Sequence, residues 1–207
     1  MNSVLGGPPG TVGPEKTDGR RQRTERTRFA IIEAYLELLR RDARMPTASQ
    51  IAEVAGCSVR TVFERFSDLD ALTLATADHS IAQGQAKAVA RHVDGDRPTR
   101  IRSHVETRAF ACEKWLPLWR IITTLDVAEL KQRVVLVRLA NIERMKLMYA
   151  PELSSLLEPP RAQLLIALAA LTSFESWDQM RYCYGLSLEA AQDVWRSAID
   201  RMLPATG

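Results

Sequence analysis

What the chain lacks narrows its nature first. Its longest unbroken apolar run, LLIALAAL from Leu164 to Leu171, falls well short of the ~20 residues that carry a helix across a bilayer. Only three cysteines occur, Cys57, Cys112 and Cys183. They are odd in number and show no CxxC spacing, so they read as reduced thiols of an intracellular protein and not as a disulfide framework. The histidines His79, His92 and His104 are scattered, with no HExxH and no pair at i, i+4, so no zinc-ligand spacing is present. P-loop and GxGxxG sequences are absent, and EVAGCS around Cys57 lacks the strand–turn–helix setting of a nucleophile elbow. No catalytic residue, no metal ligand and no cofactor is expected. The opening stretch MNSVLGGPPGTVGPEKTDGRR has no basic leader followed by an apolar core, so a signal peptide is not expected either.

What is present leans helical. The 207 residues are 46 % hydrophobic and 26 % charged but only 6 % aromatic, with Leu, Ala, Arg and Glu abundant. The net charge of +3 is unevenly spread. Residues 16–28 hold Lys16, Arg20, Arg21, Arg23, Arg26 and Arg28 against Asp18 and Glu25, a local +4, so the rest of the chain is close to neutral. Such a run is often just a solvated segment, but one that leads into a DNA-reading motif suits phosphate. Residues 1–22, rich in Gly and Pro at their start, are expected to form a disordered basic arm.

Helical periodicity follows. Phe29, Ile32, Leu36 and Leu39, widened by Ile31, Tyr35 and Leu38, predict a helix over about 24–41 that ends before Pro46. Thr47 or Ser49 can cap a second helix that buries Ile51, Ala52 and Ala55 and ends at Gly56. Ser58 caps a third, Val59 to Phe66. Ser67 or Asp68 caps a fourth, carrying Leu69, Leu72 and Leu74 and running to about residue 92. Further helices are expected at 98–112, with Pro98 in its first turn, and at 115–124, 127–149, 159–184 and 187–203. No segment alternates with period two for long, so the chain reads as all-α.

The segment AEVAGCSVRTVFERF, residues 52–66, has the parts of a helix-turn-helix. Ala52 is small enough for close helix contact. Gly56 allows a left-handed turn, with Cys57 as the small residue after it. Val62 is a branched apolar plug, and Ile51 and Phe66 complete the buried side. If Val62 and Phe66 face inwards, Val59, Arg60, Phe63 and Glu64 face outwards, flanked by Ser58 and Thr61. Arg60 is the candidate for a guanine contact and Phe63 for a thymine methyl or sugar. Ser58, Thr61, Thr47 and Ser49 suit phosphate, and Arg65 either reaches the DNA backbone or pairs with a neighbouring acid.

These residues resemble the TetR family of bacterial one-component transcriptional regulators. The specific part is IIEAYLELLRRDARMPTASQIAEVAGCSVRTVFERFSDLDAL, residues 31–72, with TASQIAEVAGCS, FERF and SDLDAL matching the family pattern. The closing segment TSFESWDQMRYCYGLSLEAAQDVWRSAIDRML is similar to the family's last helix pair. Phe63 stands where the family usually has tyrosine, Arg65 where it often has histidine and Leu69 where it commonly has lysine. The resemblance implies a helix-turn-helix domain over 23–68 and a helical effector-binding and dimerisation domain over 69–207. It also implies a repressor that binds a palindromic double-stranded DNA operator as a homodimer through residues 159–203. A small apolar effector would release the DNA. The place implied is cytoplasmic, at the nucleoid, with no membrane partner.

The spacing of Leu188, Ala191, Trp195, Ala198 and Met202 is that of a helix packed on a helix, and it agrees with the implied dimer. Helix 159–184 is apolar on two sides: Leu164, Leu168 and Leu171 form one, and Ile166, Ala170, Ser173, Trp177, Met180 and Tyr184 the other. By resemblance, Phe110, Trp115, Trp119, Ile122, Asn141, Met145, Met148, Phe174 and Trp177 line an effector pocket, plain core packing being the alternative for each. Asn141 sits on an otherwise apolar stripe, so its amide needs either a ligand or a protein partner. The competing class is a helical ligand-binding protein or enzyme whose helix-turn-helix does not bind DNA.

Overall fold

The computed structural model describes residues 15–42, 44–87 and 92–205. Every regular element among them is helical, as the absence of period-two segments implies. In chain order these are α1 (Glu15–Arg41), α2 (Ala48–Ala55), α3 (Val59–Arg65), α4 (Leu69–Lys87), α5 (Arg97–Thr124), α6 (Ala128–Met148), α7 (Ala150–Ser154), α8 (Pro160–Leu171), α9 (Phe174–Asp178), a π-helical turn (Gln179–Cys183) and α10 (Leu188–Met202). None is long and apolar enough to cross a membrane.

α1 begins at Glu15, not near residue 24, so residues 15–22 are helical where an unstructured arm is expected. The apolar stripe marks only the buried half, from Ile31 to Leu39. Upstream, Arg, Gln, Glu and Lys are good helix formers and continue the helix into solvent. The part of the arm over residues 1–14 lies outside the described residues. Phe29, placed on the stripe by its spacing, is 51 % exposed and meets the His79 ring edge-on at 5.3 Å. α4 is capped by Asp68, whose carboxylate accepts from the Ala71 amide at 2.7 Å; it is described as far as Lys87, residues 88–91 lie outside the described residues, and His92, at the expected end, is not helical, with φ 61°.

Two boundaries differ from the sequence reading. Residues 98–112 and 115–124 form one helix, α5, which Asp96 caps and which runs straight through Pro117. An internal proline costs about 3 kcal/mol. Trp115, Leu116, Leu118 and Trp119 around it are all buried, and each such side chain contributes about 1.5–3 kcal/mol. Burial wins.

The segment 159–184 breaks instead of running on. Thr172 turns its hydroxyl back to the Leu168 carbonyl at 2.8 Å, and Ser173 caps α9 by accepting from the Ser176 amide at 3.0 Å. These short hydroxyl side chains compete with the helix for backbone partners. The freed Thr172 carbonyl accepts from Arg108 Nε at 2.7 Å, so the break leaves it satisfied.

Candidate nucleic-acid interface

The helix-turn-helix is built by local rules. Thr47 and Gln50 form a reciprocal capping box at the start of α2: the Gln50 amide donates to Thr47 Oγ1 at 3.3 Å, and the Thr47 amide donates to Gln50 Oε1 at 2.9 Å. Gly56 closes α2 in the left-handed region, φ 65°, where a side chain would be strained. Ser58 caps α3 by accepting from the Thr61 amide at 3.1 Å. Ile51, Ala52, Val62 and Phe66 are all buried, so the four apolar scaffold positions sit together behind the short helix.

That burial turns the other side of α3 outwards. Arg60, with 88 % of its side chain exposed, and Phe63, 46 % exposed, face solvent together with Val59 and Ser58. Thr61 is half-buried, its hydroxyl 2.9 Å from that of Ser58. Thr47 and Ser49 lie exposed at the start of α2. Arg60 Nε donates to Glu64 Oε1 at 2.9 Å. Of the two courses expected of Arg65, pairing with a neighbouring acid is not the one taken. No acid pairs with it among the described residues, and its Nε is enclosed without a hydrogen-bond partner.

The basic run divides. Arg20, Arg21, Arg23 and Arg26 are exposed along α1. Arg28, read as part of the arm, is not a free surface charge. It donates from Nη1 to the Arg65 carbonyl at 2.9 Å, and its guanidinium lies 4.3 Å over the Phe66 ring.

In the larger half, the residues read as a chamber are packed against one another. Trp119 stacks on Phe174 with ring centroids 4.4 Å apart, and Ile122, Met145, Met148 and Trp177 are buried in the same core. Phe110 lies 46 % exposed at the surface. With Trp115 it borders a cleft of about 40 Å³, far below the ~300–1,000 Å³ of a small-molecule pocket. Asn141 has protein partners. It donates to Thr172 Oγ1 at 3.1 Å, and its Oδ1 faces His104 Nε2 at 3.5 Å.

His104 is fully buried and its Nδ1 lies 2.7 Å from the Tyr149 hydroxyl. Burial drives its pKa down to about 3, against the pull of the Asn141 hydrogen bond and helped by the charges of Arg144 and Arg108. Beside it Arg100 pairs with Glu152, both buried. Burial likewise pushes the Cys112 thiol up to about 11, so it stays protonated. The sequence reading missed this polar cluster, although Arg100, His104 and Arg108 recur every four residues down α5. Such a stripe, interleaved with the apolar Ile101, Val105, Ala109 and Cys112, was the available signal.

The seam assigned to a partner chain is divided: Leu188 is exposed, Ala198 and Met202 are half-buried, and its middle faces inwards. Ala191 and Trp195 are buried, and Trp195 packs on Trp177 at 4.6 Å, because α10 lies against α5 and α8 of its own chain. Trp177 and Met180, read as one face with Ile166, lie beyond the break at Thr172 and are buried too, whereas Ile166 is exposed. What remains outward on α8 is Ala162, Gln163, Ile166, Ala167 and Ala170, a face without charge.

No family model matches the chain, and no curated protein matches it. Among solved structures, one from Rhodococcus sp. assigned to the TetR family of transcriptional regulators superposes on it. The TM-score is 0.61 and the identity 18 %, over 87 % of this chain and 100 % of that one. With the capped helix pair and the helical bundle behind it, that likeness shows that the chain has the all-α fold of a TetR-family regulator.

Proposed function

We propose that the chain is a DNA-binding transcriptional regulator, a repressor that sits on a palindromic operator as a homodimer and leaves it when a small apolar effector binds the larger half. One observation carries the reading. α3 is pinned by Val62 and Phe66 so that Ser58, Val59, Arg60 and Phe63 all stand outwards at its N-terminal end and along one side. A recognition helix reads base edges from its N-terminal residues, with hydroxyls beside it on phosphate. The exposed arginines of α1 add sequence-independent attraction.

Dimerisation is supported by the uncharged outward face of α8, with Ile166 63 % exposed, since two α3 copies related by a two-fold axis match two half-sites. An effector would have to part the packed layer of Trp119, Phe174, Met145 and Met148, and DNA would oppose it as strongly as it opposes DNA. In this reading the chain acts in the cytoplasm, at the nucleoid.

A gel-shift titration with random-sequence duplex at low and moderate salt tests the reading. Binding that weakens steeply with salt is expected. No salt-sensitive binding would hand the chain to the competing class, a helical ligand-binding protein or enzyme.

A further inference from the structure

We propose that Arg28 is a positioning residue for the recognition helix: anchored in α1, it holds the C-terminal end of α3 and thereby sets the tilt of the face that carries Arg60. What that tilt serves rests on the DNA-binding reading above; the contact itself does not.

α3 is only seven residues long, too short to hold an orientation by its own hydrogen bonds. It is therefore fixed from outside at three places. Ser58 caps its start, Val62 plugs its middle, and its last turn needs a partner for carbonyls that no later amide can reach. Arg28 supplies that partner, donating to the Arg65 carbonyl at 2.9 Å across 37 residues of sequence. Three effects act together there. The bond is charge-assisted, the cation sits at the negative end of a helix, and the guanidinium carbon lies 4.3 Å over the ring of Phe66, the residue at which α3 ends. α1 can serve as the anchor because Ile31, Tyr35, Leu36 and Leu39 bury it just downstream. Of the arginines from 20 to 28, this one is engaged by the protein, whereas Arg20, Arg21, Arg23 and Arg26 face solvent.

The test compares the full chain with Arg28→Ala and Arg28→Lys. Amide hydrogen exchange is followed over residues 59–66, above all at Phe66, whose amide bonds to the Val62 carbonyl at 2.9 Å. Binding is measured across a salt series to duplex selected from a random pool by the wild-type chain, and to unselected duplex. In Arg28→Ala the Phe66 amide exchanges about tenfold faster, the loss expected for one charged hydrogen bond, while amides in α8 and α10 keep their rates. Affinity for the selected duplex falls by a similar factor, but affinity for unselected duplex and the salt slope are unchanged. Arg28→Lys restores neither, because an ammonium cannot stack flat on a ring and reach the carbonyl at once.

Unchanged exchange at Phe66, or full rescue by lysine, would overturn the proposal. A salt slope reduced by about 0.9 would make Arg28 a phosphate contact instead. A wild-type chain with no duplex affinity would sink the DNA-binding reading, and the exchange rates would still decide whether Arg28 holds α3.

Discussion

The head of the molecule, α1 to α3, and the body, α5 to α10, are held together differently. Behind the head's outward face lie Ile31, Leu39, Ile51, Ala52, Val62 and Phe66, all apolar; Thr47 and Ser58 cap helices at the surface, and the buried Tyr35 hydroxyl lies 2.9 Å from that of Thr73 in α4. The body buries charge and hydrogen-bonding groups in its middle: Arg100 with Glu152, and His104 with Tyr149, Asn141 and Thr172. A surface that must be presented rigidly is well served by an apolar wedge, whose packing has one good solution. A buried polar cluster is satisfied only in one arrangement and is costly in any other, so the body responds sharply to protonation or to loss of a partner. All four tryptophans, Trp115, Trp119, Trp177 and Trp195, are in the body. Tryptophan fluorescence therefore reports that half alone.

The largest expected effect is on the buried pair. Glu152→Ala leaves the Arg100 charge without its partner and should destabilise the body by about 3–5 kcal/mol, read as a lower urea midpoint of tryptophan fluorescence. Replacing both members by Met and Leu should recover most of that loss. If the single variant unfolded like wild type, the polar cluster would not be what distinguishes the body.

Acid comes next. The folded-state pKa of His104 is about 3, below its ordinary 6.5, so the unfolded chain takes up the proton first as pH falls. The contribution of neutral His104 is complete above about pH 6.5 and is lost between there and about pH 3, at ~1.4 kcal/mol per pH unit. His104→Gln should flatten that part of the profile, and an equally steep profile in the variant would assign the acid response elsewhere.

In the head, Arg60→Ala should weaken binding to the selected duplex by about 1–3 kcal/mol and relax one base position, with tryptophan fluorescence unchanged. Equal losses on every sequence would demote Arg60 to a phosphate contact. The smallest expected change is Gly56→Ala. Nothing lies within 4 Å of the added methyl group, so the cost is backbone strain alone, about 1–2 kcal/mol, and circular dichroism in urea would measure it. No loss at all would mean that the turn between α2 and α3 does not need its left-handed residue.

Legibility followed the same division. Thr47, Gly56, Ser58 and Val62 act on neighbours within a few residues, so their roles can be read from spacing, and the structure places each where its spacing puts it. Arg28 could not be read that way, because its partner lies 37 residues on. In the body, the expected gap at residues 113–114 is closed, because Trp115, Leu116, Leu118 and Trp119 bury around Pro117 and hold one continuous helix, which spacing alone does not show. The Thr172–Ser173 break carried a signal, a hydroxyl pair followed by Glu175, but the apolar run before it was stronger. Leu188, Ala191 and Trp195 have the spacing of any helix seam. Spacing gives the stripe and not the identity of what covers it.

By itself, then, the order of residues determined the helical class, the caps and turn of the helix pair, and which side of α3 is apolar, since all of these depend on interactions within about one or two turns. Only the tertiary structure decided that Arg28 belongs to α3, that Ala191 and Trp195 of α10 belong to the chain's own core, and that Asn141 is answered by His104 and Thr172. Those outcomes depend on which surfaces meet across dozens of residues, and many surfaces of equal apolarity compete until packing selects one.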